Sequence, residues 1–204
     1  MSLIKRVAAT TIASLFILAA EVAVASIKVG EPAPSFSLVG EDGKTHSLAD
    51  YKGRIVVLEW TNAECPFVKK HYSGGNMQSL QKTYTGKDVV WLSLISSAPG
   101  KQGHVDGAAA ARIVKEKSAA PTRVLLDGKG EVGHLYEAKT TPHLFIVDQG
   151  GKLVYAGGID STPSADPADI ATATPYVKNA LDELLAGKPV TTAVTKPYGC
   201  SIKY

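Results

Sequence analysis

The chain has 204 residues, of which 45% are apolar, and 22 Lys and Arg stand against 19 Asp and Glu for a net charge of +3. That balance is too small and too evenly spread for a nucleic-acid-binding protein. The length suits a single domain with a sizeable core.

The elements are read in chain order. Lys5 and Arg6 precede an apolar stretch from Val7 to Ala20, and Ala23-Val24-Ala25 forms a small-x-small site. This is the pattern of a secretory signal peptide over residues 1–25, with Ser26 as the mature N-terminus. It is too short and wrongly flanked for a membrane span; the alternative is an uncleaved N-terminal anchor. No later segment is apolar enough to cross a membrane, so none is expected after cleavage. Export to an oxidising compartment, here a bacterial periplasm, lets two cysteines persist as a disulfide.

In residues 28–53, Phe36-Ser37-Leu38 and Thr45-His46-Ser47-Leu48 flank Glu41-Asp42-Gly43-Lys44, an N-terminal hairpin signal. Residues 54–60 are a continuous apolar run, as in a strand covered on both faces. A short helix starts at Pro66, since proline suits a first helical turn. It breaks at Ser73-Gly74-Gly75-Asn76 and resumes through Met77, Leu80 and Tyr84. Val89–Ile95 and Arg123–Leu126 read as buried strands, with an Ala-rich helix near 106–117 between them. A short helix at 131–136 precedes Thr141-Pro142, and Leu144–Val147 with Leu153–Ala156 reads as a hairpin. The final helix has Thr174 as its N-cap, an apolar face of Val177, Ala180, Leu181, Leu184 and Leu185, and Gly187 as its stop. The core domain thus runs over 26–187. Residues 188–204 read as an extended surface tail carrying Cys200. Strands alternating with helices and ending in a hairpin predict an α/β fold with a mixed sheet covered on both faces.

Two cysteines are present, Cys65 and Cys200. Cys65 falls where the strand of residues 54–60 meets the helix beginning at Pro66. Unpaired N–H groups and the positive end of the helix dipole favour a thiolate there. A free cysteine also serves as a small buried apolar residue.

The segments Gly30-Glu31-Pro32-Ala33-Pro34-Ser35-Phe36, Asp42-Gly43-Lys44 with Tyr51-Lys52-Gly53, and Thr140-Thr141-Pro142-His143-Leu144-Phe145-Ile146-Val147-Asp148 resemble the redoxin branch of the thioredoxin fold. That branch holds alkyl hydroperoxide reductase/thiol-specific antioxidant (AhpC/TSA) proteins and periplasmic thiol–disulfide oxidoreductases. The resemblance runs from about Val29 to Leu185 and implies a thioredoxin-like fold. Two departures matter. Val68 occupies the second position of a Cys-x-x-Cys motif, and an aliphatic side chain cannot resolve a mixed disulfide. The peroxiredoxin pattern Pro-x-x-x-Thr/Ser-x-x-Cys is replaced by Leu58 and Asn62. Glu64-Cys65-Pro66-Phe67-Val68 with the ending Tyr198-Gly199-Cys200-Ser201-Ile202-Lys203-Tyr204 looks like a distinct subgroup.

The resemblance implies roles for several residues. Cys65 is the attacking thiolate. Cys200 is its resolving thiol, or a static disulfide partner worth about 4–5 kcal/mol on the chain-entropy model, or a link between chains. Glu59 matches a buried carboxylate beneath the thiol that relays protons; the alternative is a solvent-facing or ion-paired position. Asn62 orients a peroxide oxygen. Pro142 sits in a cis peptide facing Cys65, leaving the Thr141 backbone free to pair with substrate. Trp60 and Phe67 line an apolar wall beside the thiol, or belong to the core. His143 reads as a surface histidine rather than a neighbour of the thiolate, Lys69 as solvated, and His71 as structural. The loops 96–103 and 157–174 rim the pocket or vary on the surface.

These readings point to an exported thiol-dependent redox enzyme. In the first version it is a peroxiredoxin-like antioxidant peroxidase, reduced by a thiol electron donor such as a thioredoxin-like protein or a small thiol. The alternative is a thiol–disulfide oxidoreductase acting on protein disulfides. A third is a redox-inert binding module or copper carrier, for which no histidine pair stands at ligand spacing. No metal or organic cofactor is called for, because sulfur carries the electrons.

Overall fold

The computed structural model describes residues 27–204, so the expected signal peptide lies outside the described residues. Among the described residues no helix is long and apolar enough to cross a membrane.

The hairpin at Asp42-Gly43 forms as expected, with β1 (Ser37–Gly40) antiparallel to β2 (Thr45–Ser47). Gly43 takes a φ of +75°, which glycine adopts without steric cost. The apolar run becomes β3 (Val56–Trp60), every residue of it buried. Its side chains alternate between two cores, as strand geometry requires. Val56, Leu58 and Trp60 join Leu92, Leu94, Leu125, Tyr136 and Phe145 on one face. Val57 joins Met77, Tyr84, Trp91, Ile146 and Leu181 on the other.

The helical run breaks as the sequence implies. α1 (Pro66–Ser73) ends at Gly74, and Gly75 in the left-handed region starts α2 (Asn76–Thr85). Then follow β4 (Val90–Ile95), α3 (Gly107–Glu116), β5 (Arg123–Leu126), α4 (Glu131–Leu135), β6 (Thr140–Thr141), β7 (His143–Val147) and β8 (Leu153–Gly157). α5 (Tyr176–Leu185) closes the domain and β9 (Cys200–Ser201) lies in the tail. The seven-stranded sheet runs β2-β1-β5-β4-β3-β7-β8, with β3, β4 and β5 parallel and the outer pairs antiparallel. This is the expected mixed α/β sheet.

Three local expectations are corrected. Thr174 does not cap α5: Pro175 holds the cap position with no side-chain hydrogen bond, and the Thr174 N–H donates to Ser161 Oγ instead. Leu185 lies on the exposed edge of the helix. His143 is buried rather than on the surface, because β7 pairs with β3 along its whole length and sets it opposite Trp60.

The tail is extended, as expected, but it is bound along much of its length. Val194 bridges Ala156, and the Thr195 hydroxyl accepts from the Gly158 N–H at 3.0 Å. β9 pairs antiparallel with β6, so that Cys200 faces Thr141 and Ser201 faces Thr140. The last residue stacks on α4: the Tyr204 ring lies 4.0 Å from that of His134, and its hydroxyl donates to the Ala138 carbonyl at 2.8 Å. A Cβ on Gly133 would collide with the Tyr204 ring, so glycine there makes the docking possible.

Candidate active site

Cys65 is the N-cap residue of α1, with extended backbone and proline at the next position. The turn before it is held by Asn62. Its Oδ1 accepts from the Glu64 N–H at 2.9 Å, its Nδ2 donates to the Gln102 carbonyl at 3.3 Å, and its own carbonyl accepts from the Cys65 N–H at 3.0 Å. Both ends of the amide are thereby used on backbone. Gly103, at φ +83°, leaves the space this side chain needs. Asn62 thereby shapes the loop that leads into Cys65.

The sulfur itself is fully buried, at 0% exposure. As a thiol it donates to the Thr141 carbonyl at 3.1 Å. The Thr141–Pro142 peptide is cis, as expected, and brings this carbonyl to Cys65. The Thr141 hydroxyl is buried with no geometric hydrogen-bond partner among the described residues. On the other side stands Cys200, half-buried and, like Cys65, a free thiol. Gly199 precedes it at φ +139°, and a Cβ there would collide with the Thr141 carbonyl. Only glycine lets the tail come this close.

The two thiols differ in acidity. Burial pushes Cys65 up, but the Cys200 thiol, the Thr141 side chain and the Val68 and Cys200 N–H groups outweigh it and leave Cys65 below its ordinary value. Donors placed on the charged form stabilise it. Cys200 moves the other way, to about 11, through burial, its hydrogen bond to Cys65 and the negative charge of that sulfur; Lys203 offsets part of this. Cys65 is thus the more acidic of the two.

Glu59 is fully buried on β3. It accepts from Tyr72 (3.0 Å), Gln81 (3.2 Å), Trp91 (2.7 Å) and Ser93 (3.0 Å). Burial raises its pKa, against those four donors. The solvent-facing alternative is thereby excluded. Its hydrogen-bond partners are these four side chains, not Cys65; only Tyr72, on α1, links it to the helix carrying the sulfur.

Trp60 goes to the core. It is fully buried against Tyr136 and Phe145, and its indole N–H donates to Ser96 Oγ at 3.0 Å. Ser96 passes this on to Asp127, whose carboxylate accepts the N–H groups of Val132 and Gly133 at the start of α4. Phe67 is half-buried and meets the tail, edge-on to Tyr198 at 6.0 Å between ring centres. His143 accepts the Lys139 N–H at 3.2 Å, and burial, with Lys139 nearby, lowers its pKa to about 3. It stays neutral and supplies no imidazolium. Lys69 is exposed. Both loops do meet the site: the Ala98 N–H donates to the Lys203 carbonyl, Gln102 receives Asn62, and 157–174 supplies Asp160.

Sequence reasoning missed the buried polar cluster that holds the tail. Lys70, His71 and Asp160 are all buried. The Tyr198 hydroxyl donates to Asp160 Oδ1 at 2.5 Å and pairs with His71 Nε2 at 3.1 Å, while Asn76 donates to His71 Nδ1 at 2.9 Å. That network assigns the ring proton of His71 to Nε2, donating to Tyr198. Lys70 donates to the Thr162 carbonyl at 3.0 Å and lies 3.8 Å from Asp160 Oδ2. Burial drives the His71 pKa down to about 4, with Asp160 opposing and Lys70 adding. The one signal in the sequence was Tyr198 two residues before Cys200.

Comparison with known proteins follows the geometry. The family model described as "AhpC/TSA family" matches residues 29–156, more than half of the chain. The chain belongs to the AhpC/TSA family. Among curated proteins it is similar to the thioredoxin-like protein YneN of Bacillus subtilis, at 28% identity over 62% of this chain and 69% of that one. It is also similar to the peroxiredoxin Bcp of the same organism, at 23% identity over 63% and 83%. A solved structure of an uncharacterized conserved protein from Geobacillus kaustophilus superposes with a TM-score of 0.74 at 29% identity, covering 87% of this chain and 93% of that one. The fold is thioredoxin-like and the family is one of thiol redox proteins, with both peroxiredoxin and thiol–disulfide oxidoreductase relatives. The family match ends before the tail that carries Cys200.

Proposed function

We propose that this protein is an exported, thiol-dependent peroxidase that cycles between a Cys65/Cys200 dithiol and an intramolecular disulfide. One observation carries the reading: Cys200 is held opposite Thr141 by the β6–β9 pairing, and the Thr141 carbonyl accepts from the Cys65 thiol at 3.1 Å. The Cys65 thiolate attacks the near oxygen of a hydroperoxide; the O–O bond breaks, the alcohol or water leaves with a proton, and Cys65 becomes a sulfenic acid. The Cys200 sulfur then attacks the Cys65 sulfur, water leaves, and the disulfide closes. An external dithiol returns two electrons. Because Cys65 is covered in the reduced form, the tail lifts to admit the oxidant. Thr141 supplies a hydroxyl to the thiolate, Asn62 shapes the loop, and Glu59 handles protons from beneath α1 without touching sulfur.

The experiment is peroxide consumption by the reduced mature protein, with thiol counting and intact mass before and after one equivalent. Loss of both thiols with fast peroxide loss and a monomer lighter by two hydrogens supports the cycle. Two surviving thiols with negligible peroxide loss sinks it. Thiol–disulfide exchange on protein substrates is the second reading, favoured by one feature: β9 occupies a backbone edge of β6 that an extended peptide would fit. Mixed disulfides trapped on Cys65 in a Cys200→Ser variant would select it.

A further inference from the structure

We propose that the cleft between α1 and α3 binds a small aliphatic carboxylic acid, with the hydrocarbon chain inside and the carboxylate held by Lys69 and Lys117. This site stands apart from the thiol cycle proposed above, and failure of that cycle would leave it intact.

The two flanks of α1 have different neighbours. Phe67, Lys70 and His71 face the tail at Tyr198. Val68 and Tyr72, on the other flank, help to form a cavity of about 110 Å3. Ile95 of β4 and Val124 of β5 give it a floor, and Ile113 and Val114 of α3 give it a far wall. Ile113 and Val114 are only half-buried, so the cavity opens to solvent along α3 instead of closing into the core.

The interior favours an apolar guest over water. Tyr72 and Ser93 bring hydroxyls to the wall, but both donate to Glu59, at 3.0 Å each. A bound water needs two to four polar partners, and an apolar cavity without them stays dry; an engineered cavity of about 150 Å3 takes up benzene. On that scale, 110 Å3 has room for a chain of about four or five carbons.

Charge selects the head group. Lys69 and Lys117 lie on the rim, both exposed, and neither joins an ion pair among the described residues. Lysine stems lie along apolar surface and keep the ammonium in water, so two positive charges stand at the opening. Glu64 is also on the rim, but at the other end of the cleft. The Lys117 end is fixed by Gln78, whose Nε2 donates to the Tyr72 and Lys117 carbonyls at 2.8 Å each. Glu64 belongs to the turn that Asn62 ties to Gln102, beside Gly103. The cleft is therefore apolar within, negative at the Gly103 end and positive at the Lys117 end, which orients a carboxylate toward the lysines.

The test uses the reduced mature chain, with hexanoate as the probe and hexylamine as its cationic counterpart. Binding is followed by calorimetric titration and by nuclear Overhauser contacts from the chain protons of the probe to protein methyl groups. Saturable binding of hexanoate is expected, with a Kd of about 1 mM or tighter and contacts to the methyls of Val68, Ile113 and Val114. Hexylamine should bind about tenfold more weakly or worse, because attraction by two exposed charges becomes repulsion, and added salt should narrow the difference. Val114→Trp fills the cavity and should weaken hexanoate about tenfold or more, since the chain loses its apolar enclosure. No saturable binding, equal affinity for the two probes, or contacts confined to other residues would overturn the proposal. So would a folded Val114→Trp protein that binds hexanoate as the parent does. The contacts are read on the unaltered protein, so the proposal stays falsifiable if that variant does not fold.

Discussion

Replacing Cys200 by alanine removes a thiol that lowers the Cys65 pKa, and replacing it by serine keeps a donor in the same place. Each variant leaves a single cysteine, so the titration of Cys65 is read without coupling to a second thiol. The Cys65 thiolate has four contributors that favour it: the Cys200 side chain, the Thr141 side chain, and the N–H groups of Val68 and Cys200. Substitution by alanine deletes the first and spares the rest. A hydrogen bond to a charged group contributes about 1.5–3 kcal/mol, and a sulfur donor lies at the low end. At about 1.4 kcal/mol per pKa unit, the alanine variant should titrate about one unit above the serine variant. Alanine also opens the site to water, which lowers the pKa and trims the difference without reversing it. Thiolate ultraviolet absorbance against pH gives both values, and alkylation rates against pH provide a second reading. Coincident curves, or an alanine curve below the serine curve, would refute the idea that Cys200 donates to the Cys65 thiolate.

Tyr198→Phe removes the hydroxyl joining Asp160 to His71. Losing that link costs about 1–3 kcal/mol of tail docking, so alkylation of buried Cys65 should quicken and disulfide closure slow, while thermal unfolding of the domain shifts little. Gly199→Ala should do the same more strongly, since its Cβ meets the Thr141 carbonyl; unchanged Cys65 alkylation would show that β9 does not cover the sulfur. Acid stability follows from His71 and His143, whose folded values of about 4 and 3 lie below the ordinary 6.5. Between these values the unfolded chain binds protons that the folded chain refuses, so their contribution is fully present above pH 6.5 and is lost as pH falls toward 4. Two protons at about 1.4 kcal/mol per unit remove about 5 kcal/mol over two units. Glu59, raised by burial, opposes with at most one proton in the reverse sense. Urea midpoints that stay flat from about pH 7 to about pH 5 would contradict this linkage. Glu59→Gln should abolish that opposing slope, making acid destabilisation steeper than in the parent.

Much of the fold was legible in the chain because local rules and the global fold agree there. Continuous apolar runs mark strands buried on both faces, Asp42-Gly43 marks the hairpin, and Pro66 with Gly74-Gly75 brackets α1. The position of Cys65 at a strand–helix junction is also a local property, and so is the Thr-Pro loop. What only the tertiary structure decided lies where distant segments meet. Glu59 could not be placed from its neighbours, because its burial is set by Tyr72, Gln81, Trp91 and Ser93 from three other elements. His143 looked like a surface residue until β3 covered it. The loop-shaping bonds of Asn62 to Glu64 and Gln102 could not be read from the sequence. The tail is the largest case. Its prolines and lack of helical period predict an extended segment, but not its berth. That berth exists because Gly199 admits the Thr141 carbonyl, Gly133 admits Tyr204, and Asp160, His71 and Lys70 form a polar cradle for Tyr198. These partners lie far apart in the chain, and packing alone brings the second thiol to the first.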